Sequence, residues 1–309
     1  MRGISQILFL ILIESKVHSV MNVTCKLQCV LIIWGSALTE KFNAQAVYLV
    51  PVLASLIFGL GCAYLLLTQP VQAIPVTPFP DESASGSFGN ALYFVVLIAV
   101  GATVLYFLLK WKSRKLITIL TAFALTAASL LLSVFYLSVI FASVPNAEIL
   151  VISLSIVLTV IVDVAIFRLD SKIRNAVVVC LGGALGVFFG ASIPLLSALL
   201  ILCFLAVYDV FAVYKGPVGK IAHAGLDQLK GLSFSFKDIQ MGLGDLVFYS
   251  MLSGNMLFNF GVVSYLVSFV GILVGAFLTF MMLEKKGIFP GLPIPVFLGL
   301  AGGLLASLI

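Results

Sequence analysis

Three aspartates stand inside long apolar stretches of this sequence: Asp163, Asp209 and Asp245. Hydrocarbon offers a carboxylate no hydrogen bonds, so an ionisable group at membrane depth costs several kcal/mol and by default marks a functional site. Two buried carboxylates can activate water for hydrolysis, and a larger group of them can bind a cation or relay protons. Asp209 lies six residues before Lys215, and Asp245 lies eight residues after Lys237. At about 1.5 Å per helical residue, they are about 9 and 12 Å from the same boundary. The two segments run in opposite directions, so the carboxylates can face each other. Asp163 has Arg168 and Asp170 nearby and no motif around it, and is expected to serve packing or an ion pair.

The rest of the chain must supply elements that hold these acids in lipid. It has 309 residues, 62% of them hydrophobic and 9% charged, with a mean hydropathy of +1.25. Soluble domains carry about 25% charged residues, so this composition excludes a soluble enzyme, a disordered chain and a nucleic-acid reader. The net charge of +5 is spread too thinly to form an anion-binding patch. A crossing needs about 20 mostly apolar residues. Nine stretches meet that length: 46–67, 90–109, 116–142, 149–168, 175–193, 195–214, 240–258, 262–283 and 290–309. Only Ser192-Ile193-Pro194 separates the fifth from the sixth. In residues 1–45 the apolar runs 7–13 and 29–38 are too short to cross, and Glu14, Lys16, His18 and Lys26 interrupt them. That extension is an interfacial helix, a re-entrant piece or an upstream start ahead of Met21. No small-residue cleavage site follows its first apolar run, so a signal peptide is not expected.

All 17 lysines and arginines fall at the N-terminus or in alternate connections, around 110–115, 168–174, 215–237 and 285–286. The 68–89 connection, with Asp81 and Glu82, has none. By the positive-inside rule this predicts nine crossings, a cytoplasmic N-terminus and an outer C-terminus, in a multi-pass protein of the cell membrane. Gly182, Gly186 and Gly190 repeat every fourth residue, as do Gly271 and Gly275. Such ladders let helix backbones approach in lipid.

The two central aspartates differ in their surroundings. Asp209 follows Tyr208 in a plain helical run, whereas Asp245 ends Gly242-Leu243-Gly244-Asp245. Two glycines just ahead of an acid loosen the helix and open its backbone to close approach. A protease needs that access, because a helical substrate must unwind before its carbonyl reaches the acids.

Tyr208-Asp209, Gly242-Leu243-Gly244-Asp245 and Pro290-Gly291-Leu292-Pro293 occur in the order of the YD, GxGD and PAL motifs. In them the chain resembles the presenilin and signal peptide peptidase family of intramembrane aspartyl proteases, most of all its compact archaeal members. The resemblance is tight over about 100 residues, 205–295, and looser over the nine-span pattern. One departure stands out, since the family's PAL alanine is Gly291 here. The resemblance implies an all-α, presenilin-like membrane fold of nine transmembrane helices. Residues 46–193 would form a scaffold of spans one to five, and residues 194–309 a catalytic part of spans six to nine. It implies Asp209 and Asp245 as catalytic residues sharing one proton. Tyr208, Gly242, Leu243, Gly244, Pro290, Gly291, Leu292 and Pro293 would form the substrate-binding surroundings. The implied substrates are transmembrane proteins or signal-peptide-like helices in the bilayer, with no nucleic acid and no obligatory partner subunit.

Residue inventory narrows the alternatives. A serine intramembrane protease needs a membrane histidine, and His18 and His223 lie outside the spans; a metalloprotease needs HExxH, which is absent. No metal or other cofactor is expected, since Cys25 and Cys29 form a lone C-x3-C pair. Prepilin peptidases share the GxGD ending but not the proline motif. From a different class, a transporter using Asp163, Asp209 and Asp245 as a cation or proton site stays open.

Overall fold

The computed structural model describes residues 44–68, 76–79, 83–111, 113–216, 231–236 and 239–308. Most of the extension assigned to 1–45, the Cys25–Cys29 pair, His18 and His223 lie outside them. Residues 44–309 form one compact unit. Its elements are a 3₁₀ turn at Ala46–Leu49, then α1 (Val50–Thr68), α2 (Ala84–Lys110), α3 (Arg114–Ile140), α4 (Glu148–Phe167), α5 (Ser171–Ser192) and α6 (Leu195–Tyr214). A hairpin of β1 (Ser233–Phe236) and β2 (Ile239–Gly242) precedes α7 (Leu243–Phe260), α8 (Val262–Lys286) and α9 (Pro293–Ala306).

All nine expected helices are present among the described residues, but several ends differ: the fifth begins at Ser171 rather than 175, and three other starts move for visible reasons. The second begins at Ala84 rather than 90, because Ser83 caps it by accepting a hydrogen bond from the Gly86 N–H at 3.1 Å. The seventh begins at Leu243 rather than 240, since residues 239–242 pair as a strand. The ninth begins at Pro293 rather than 290; proline is well tolerated at a helix start, where its missing N–H has no intrahelical partner.

Seven of the helices, α1 to α6 and α8, are long and apolar enough to cross a membrane. The protein is a multi-pass integral membrane protein on that architecture. The other two differ for physical reasons. At 14 residues, α9 spans only about 21 Å. At 18 residues, α7 carries Asp245, Ser250, Ser253, Asn255 and Asn259, and twelve of its residues are buried. It tolerates that polarity because protein rather than lipid surrounds it, with α1, α5, α6, α8 and α9 all packed on it.

Glycine decides how closely these helices meet. A Cβ on Gly186 would run into the Val247 carbonyl and would lie 2.5 Å from the Ser250 Cβ, while one on Gly190 would lie 2.9 Å from the Met251 carbonyl. The ladder on α5 therefore seats α7 backbone to backbone. On α8, a Cβ on Gly271 would lie 2.6 Å from the Leu298 carbonyl, and Gly275 abuts the Pro295 backbone of α9. Polar side chains join other pairs. Asn90 of α2 donates to Ser197 Oγ of α6 at 2.9 Å and also brackets both backbone groups of Phe79. Tyr136 of α3 donates to the Ala184 carbonyl of α5 at 2.8 Å.

Overpacking a close-packed interface costs about 1–3 kcal/mol or more. Gly186→Val is expected to lower the melting temperature of the detergent-solubilised protein by several degrees. Gly101→Ala, where a Cβ meets nothing within 4 Å, is expected to leave it unchanged. Equal melting temperatures for the two variants would contradict the assignment of Gly186 to the α5–α7 contact.

Candidate active site

Asp209 sits in the last turns of α6, and Asp245 in the first turn of α7. What brings them together is the short segment between α8 and α9. The Leu292 backbone N–H donates to Asp209 Oδ2 at 3.0 Å. A methyl group placed on Gly291 would stand 2.7 Å from Asp245 Oδ2 and 3.1 Å from its Cγ. Both carboxylates thus lie against adjacent residues of one loop, half-buried and within electrostatic reach of each other.

Local chemistry explains why this loop is available. Gly287, at φ 75°, ends α8 in the left-handed region that glycine adopts without steric cost. Pro290 and Pro293 lack N–H groups, so the segment between them cannot continue a regular ladder. Leu292 is 6% exposed and Pro290 is buried, which anchors the loop between the helices with the backbone N–H groups of Leu292 and Gly291 turned toward Asp209.

The approach to Asp245 is extended rather than helical. β1 and β2 pair antiparallel with Ser233 opposite Gly242 and Phe236 opposite Ile239. Phe234, Ile239 and Met241 are buried, while Asn175 of α5 donates to the Ser235 carbonyl at 2.6 Å. A strand rises about 3.3 Å per residue, so counting helical steps from Lys237 does not measure the depth of Asp245. The alternation of Ser233-Phe234-Ser235-Phe236 and Ile239-Gln240-Met241-Gly242 is the period-two signal that the helical reading passed over.

The other expected residues fall into place unevenly. Gly242 is the residue before α7, and Gly244 is exposed in its first turn. A Cβ on either would meet no atom closer than 3.8 Å, so packing does not demand glycine there, and the space beside the backbone is open. Leu243 is buried and reaches toward Gly182 of α5, which makes it a packing residue of the hairpin–helix junction. Tyr208 is half-buried beside Asp209 in the chain, and Pro293 is the first residue of α9. Asp163 belongs to another seam. Its Oδ2 accepts from Thr126 Oγ1 of α3 at 2.7 Å, so its bond is an interhelical one rather than the ion pair that Arg168 suggested. Among the described residues, no three His, Cys, Asp or Glu side chains gather to hold a metal.

Tyr249 was not singled out from the sequence. It is 1% exposed, and its hydroxyl donates to the Gly291 carbonyl at 2.8 Å. The available signal was its spacing: four residues after Asp245, it lies on the same helix face.

The missing Cβ of Gly291 leaves its space to the Asp245 carboxylate. Gly291→Ala is expected to displace either the loop or Asp245 and to lower the rate of any chemistry that uses Asp245, by about a hundredfold if the misplacement reaches about 1 Å and by less for a smaller shift. The check is turnover against wild type with melting temperature followed in parallel; an undiminished rate would contradict the close fit.

Comparison with known proteins adds three findings. A family model for presenilin matches residues 222–309, which include Asp245 and Gly291 but not Asp209. Presenilin-B of Dictyostelium discoideum is 32% identical over 121 residues, covering 35% of this chain and 25% of that protein. This chain therefore matches about a quarter of that relative's length. Two crystal structures of a presenilin family intramembrane aspartate protease superpose with TM-scores of 0.60 and 0.58. They are 20% and 21% identical in sequence and cover 84% of this chain and 96% and 95% of theirs. Over its C-terminal sequence and across its helical fold, the chain is similar to the presenilin family.

Proposed function

We propose that this protein is an intramembrane aspartic endopeptidase that hydrolyses peptide bonds within transmembrane helices, with Asp209 and Asp245 as its catalytic pair. The observation that carries the reading is the convergence of both carboxylates on the Gly291–Leu292 loop, beside a glycine segment with open space along its backbone. Two carboxylates at such close quarters in a low dielectric do not both ionise; they hold one proton between them. The ionised member takes a proton from water as the water attacks the scissile carbonyl carbon. The protonated member donates a hydrogen bond to the carbonyl oxygen. Collapse of the tetrahedral intermediate then breaks the C–N bond as the departing amine takes the proton that the first carboxylate removed from water, which restores the singly protonated pair.

A helical substrate hides its carbonyls in its own hydrogen bonds, so it must be extended first. The β1–β2 hairpin ends at Gly242, three residues before Asp245. An extended segment added to a strand edge gains main-chain hydrogen bonds in place of its helical ones. In this reading α1 to α5 support the site and α6 to α9 carry it, with Tyr208, Gly242, Gly244, Pro290, Gly291 and Leu292 lining the substrate path. The substrates are transmembrane proteins or signal-peptide-like helices, and the chain acts without an obligatory subunit. The one-sided distribution of basic residues supports a cytoplasmic N-terminus in a cell membrane. A carrier built on three aspartates needs Asp163 in the same site, whereas Asp163 is engaged with Thr126.

Cleavage of a single-span reporter by the purified protein in lipid tests the proposal. Asp209→Asn and Asp245→Asn are each expected to lower turnover by at least about a thousandfold, since members of a catalytic unit fail together. Asp163→Asn is expected to keep activity while losing a little thermal stability. No cleavage by folded wild type, or loss with Asp163→Asn alone, would overturn it.

A further inference from the structure

One peptide unit in this molecule is gripped at both ends by side chains from different helices. The C=O of Gly291 accepts from the Tyr249 hydroxyl of α7 at 2.8 Å. The N–H of the same peptide, on Leu292, donates to Asp209 Oδ2 of α6 at 3.0 Å. A trans peptide is planar, with its C=O and N–H pointing in opposite directions. Fixing the carbonyl therefore aims the N–H. If the peptide turned about its flanking dihedrals, the carbonyl would leave Tyr249 and the N–H would leave Asp209 together.

We infer that Tyr249 is a positioning residue for the reaction: by holding the Gly291 carbonyl it presents the Leu292 N–H to the Asp209 carboxylate. This deepens the protease reading and rests on it for its kinetic consequence, although the clamp itself does not. Three features make the tyrosine fit the role. Its side chain is almost fully buried, so the bond has little competition from water. It stands one helical turn from Asp245 on the same face, so the element that carries one acid also fixes the loop that bonds the other. And the loop has little regular structure to hold it otherwise, with prolines at 290 and 293. An N–H aimed at a carboxylate favours its ionised form. The clamp therefore holds the Asp209 carboxylate in the position from which the pair handles the proton of water. Tyr249 touches neither bond that changes; it acts through the peptide.

The test removes one oxygen atom. Tyr249→Phe keeps the buried ring and loses the donor, and Tyr265→Phe is a matched control, because the buried Tyr265 hydroxyl has no hydrogen-bond partner among the described residues. With the full-length protein in lipid nanodiscs and the single-span reporter, Tyr249→Phe is expected to lower kcat about tenfold or more while KM changes by less than about twofold. Tyr265→Phe is expected to leave both unchanged. Amide hydrogen exchange is the second readout and needs no substrate: in Tyr249→Phe the Leu292 amide is expected to exchange at least about fivefold faster, with the α5 and α8 amides unchanged. An unchanged kcat in an active wild-type background, or unchanged exchange at Leu292, would overturn the inference. Faster exchange at Leu292 in a protein whose wild type cleaves nothing would instead retain the clamp and refute the protease reading.

Discussion

Lipid solvates no polar group, and that constraint governs how this molecule is arranged. Every carboxylate, amide and hydroxyl carried into the bilayer must find its partner within the protein or cost several kcal/mol. The most polar of the nine helices, α7, is accordingly the most wrapped: Asp245, Ser250, Ser253 and Asn255 travel on a helix with twelve buried residues. Its neighbours meet it where they have little side chain to interpose. The glycines of α5 admit the α7 backbone, and Asn255 donates to the Gly190 carbonyl at 3.2 Å. Ser55 of α1 and Ser250 share a hydrogen bond at 3.4 Å.

The same constraint shapes the site. A loop between two helices leaves peptide groups unpaired, and a buried carboxylate needs donors. The Leu292 N–H and Asp209 answer each other's need, while Gly291 makes room beside Asp245. The arrangement couples α6, α7 and the α8–α9 connection through one peptide, and the apposed glycines of α8 and the proline-rich start of α9 hold that connection close. Beside it the hairpin ends in open backbone. An aspartic hydrolase acting in lipid needs this combination of two acids, a fixed loop and a place for an extended chain.

Parts of the fold were legible because their signals are local. The apolar stretches, the glycine ladders and the one-sided basic residues all report composition or short-range spacing. Helix ends were less legible. The Ser83 cap and the Pro293 start were each present as residue types, but a hydropathy window averages over them. The hairpin was missed because four-residue strands are shorter than that window and adjoin a long apolar run. Gly291 stood out in the sequence only as a departure from the motif's alanine; the proximity of Asp245 is what gives the missing methyl group a consequence.

From the sequence alone came the medium, the number of helices, the two acids worth attention and the glycine faces along which helices approach. Those properties follow from polarity and from the 3.6-residue period, which act within a segment. Tertiary structure decided the partners. Asp209 meets Leu292 across 83 residues of chain, Tyr249 meets Gly291 across 42, and Asp163 turns to Thr126 across 37. Polarity dictates that a buried acid must have a donor, but the donor is chosen by which backbones can come within about 3 Å, and that depends on the packing of all the helices at once.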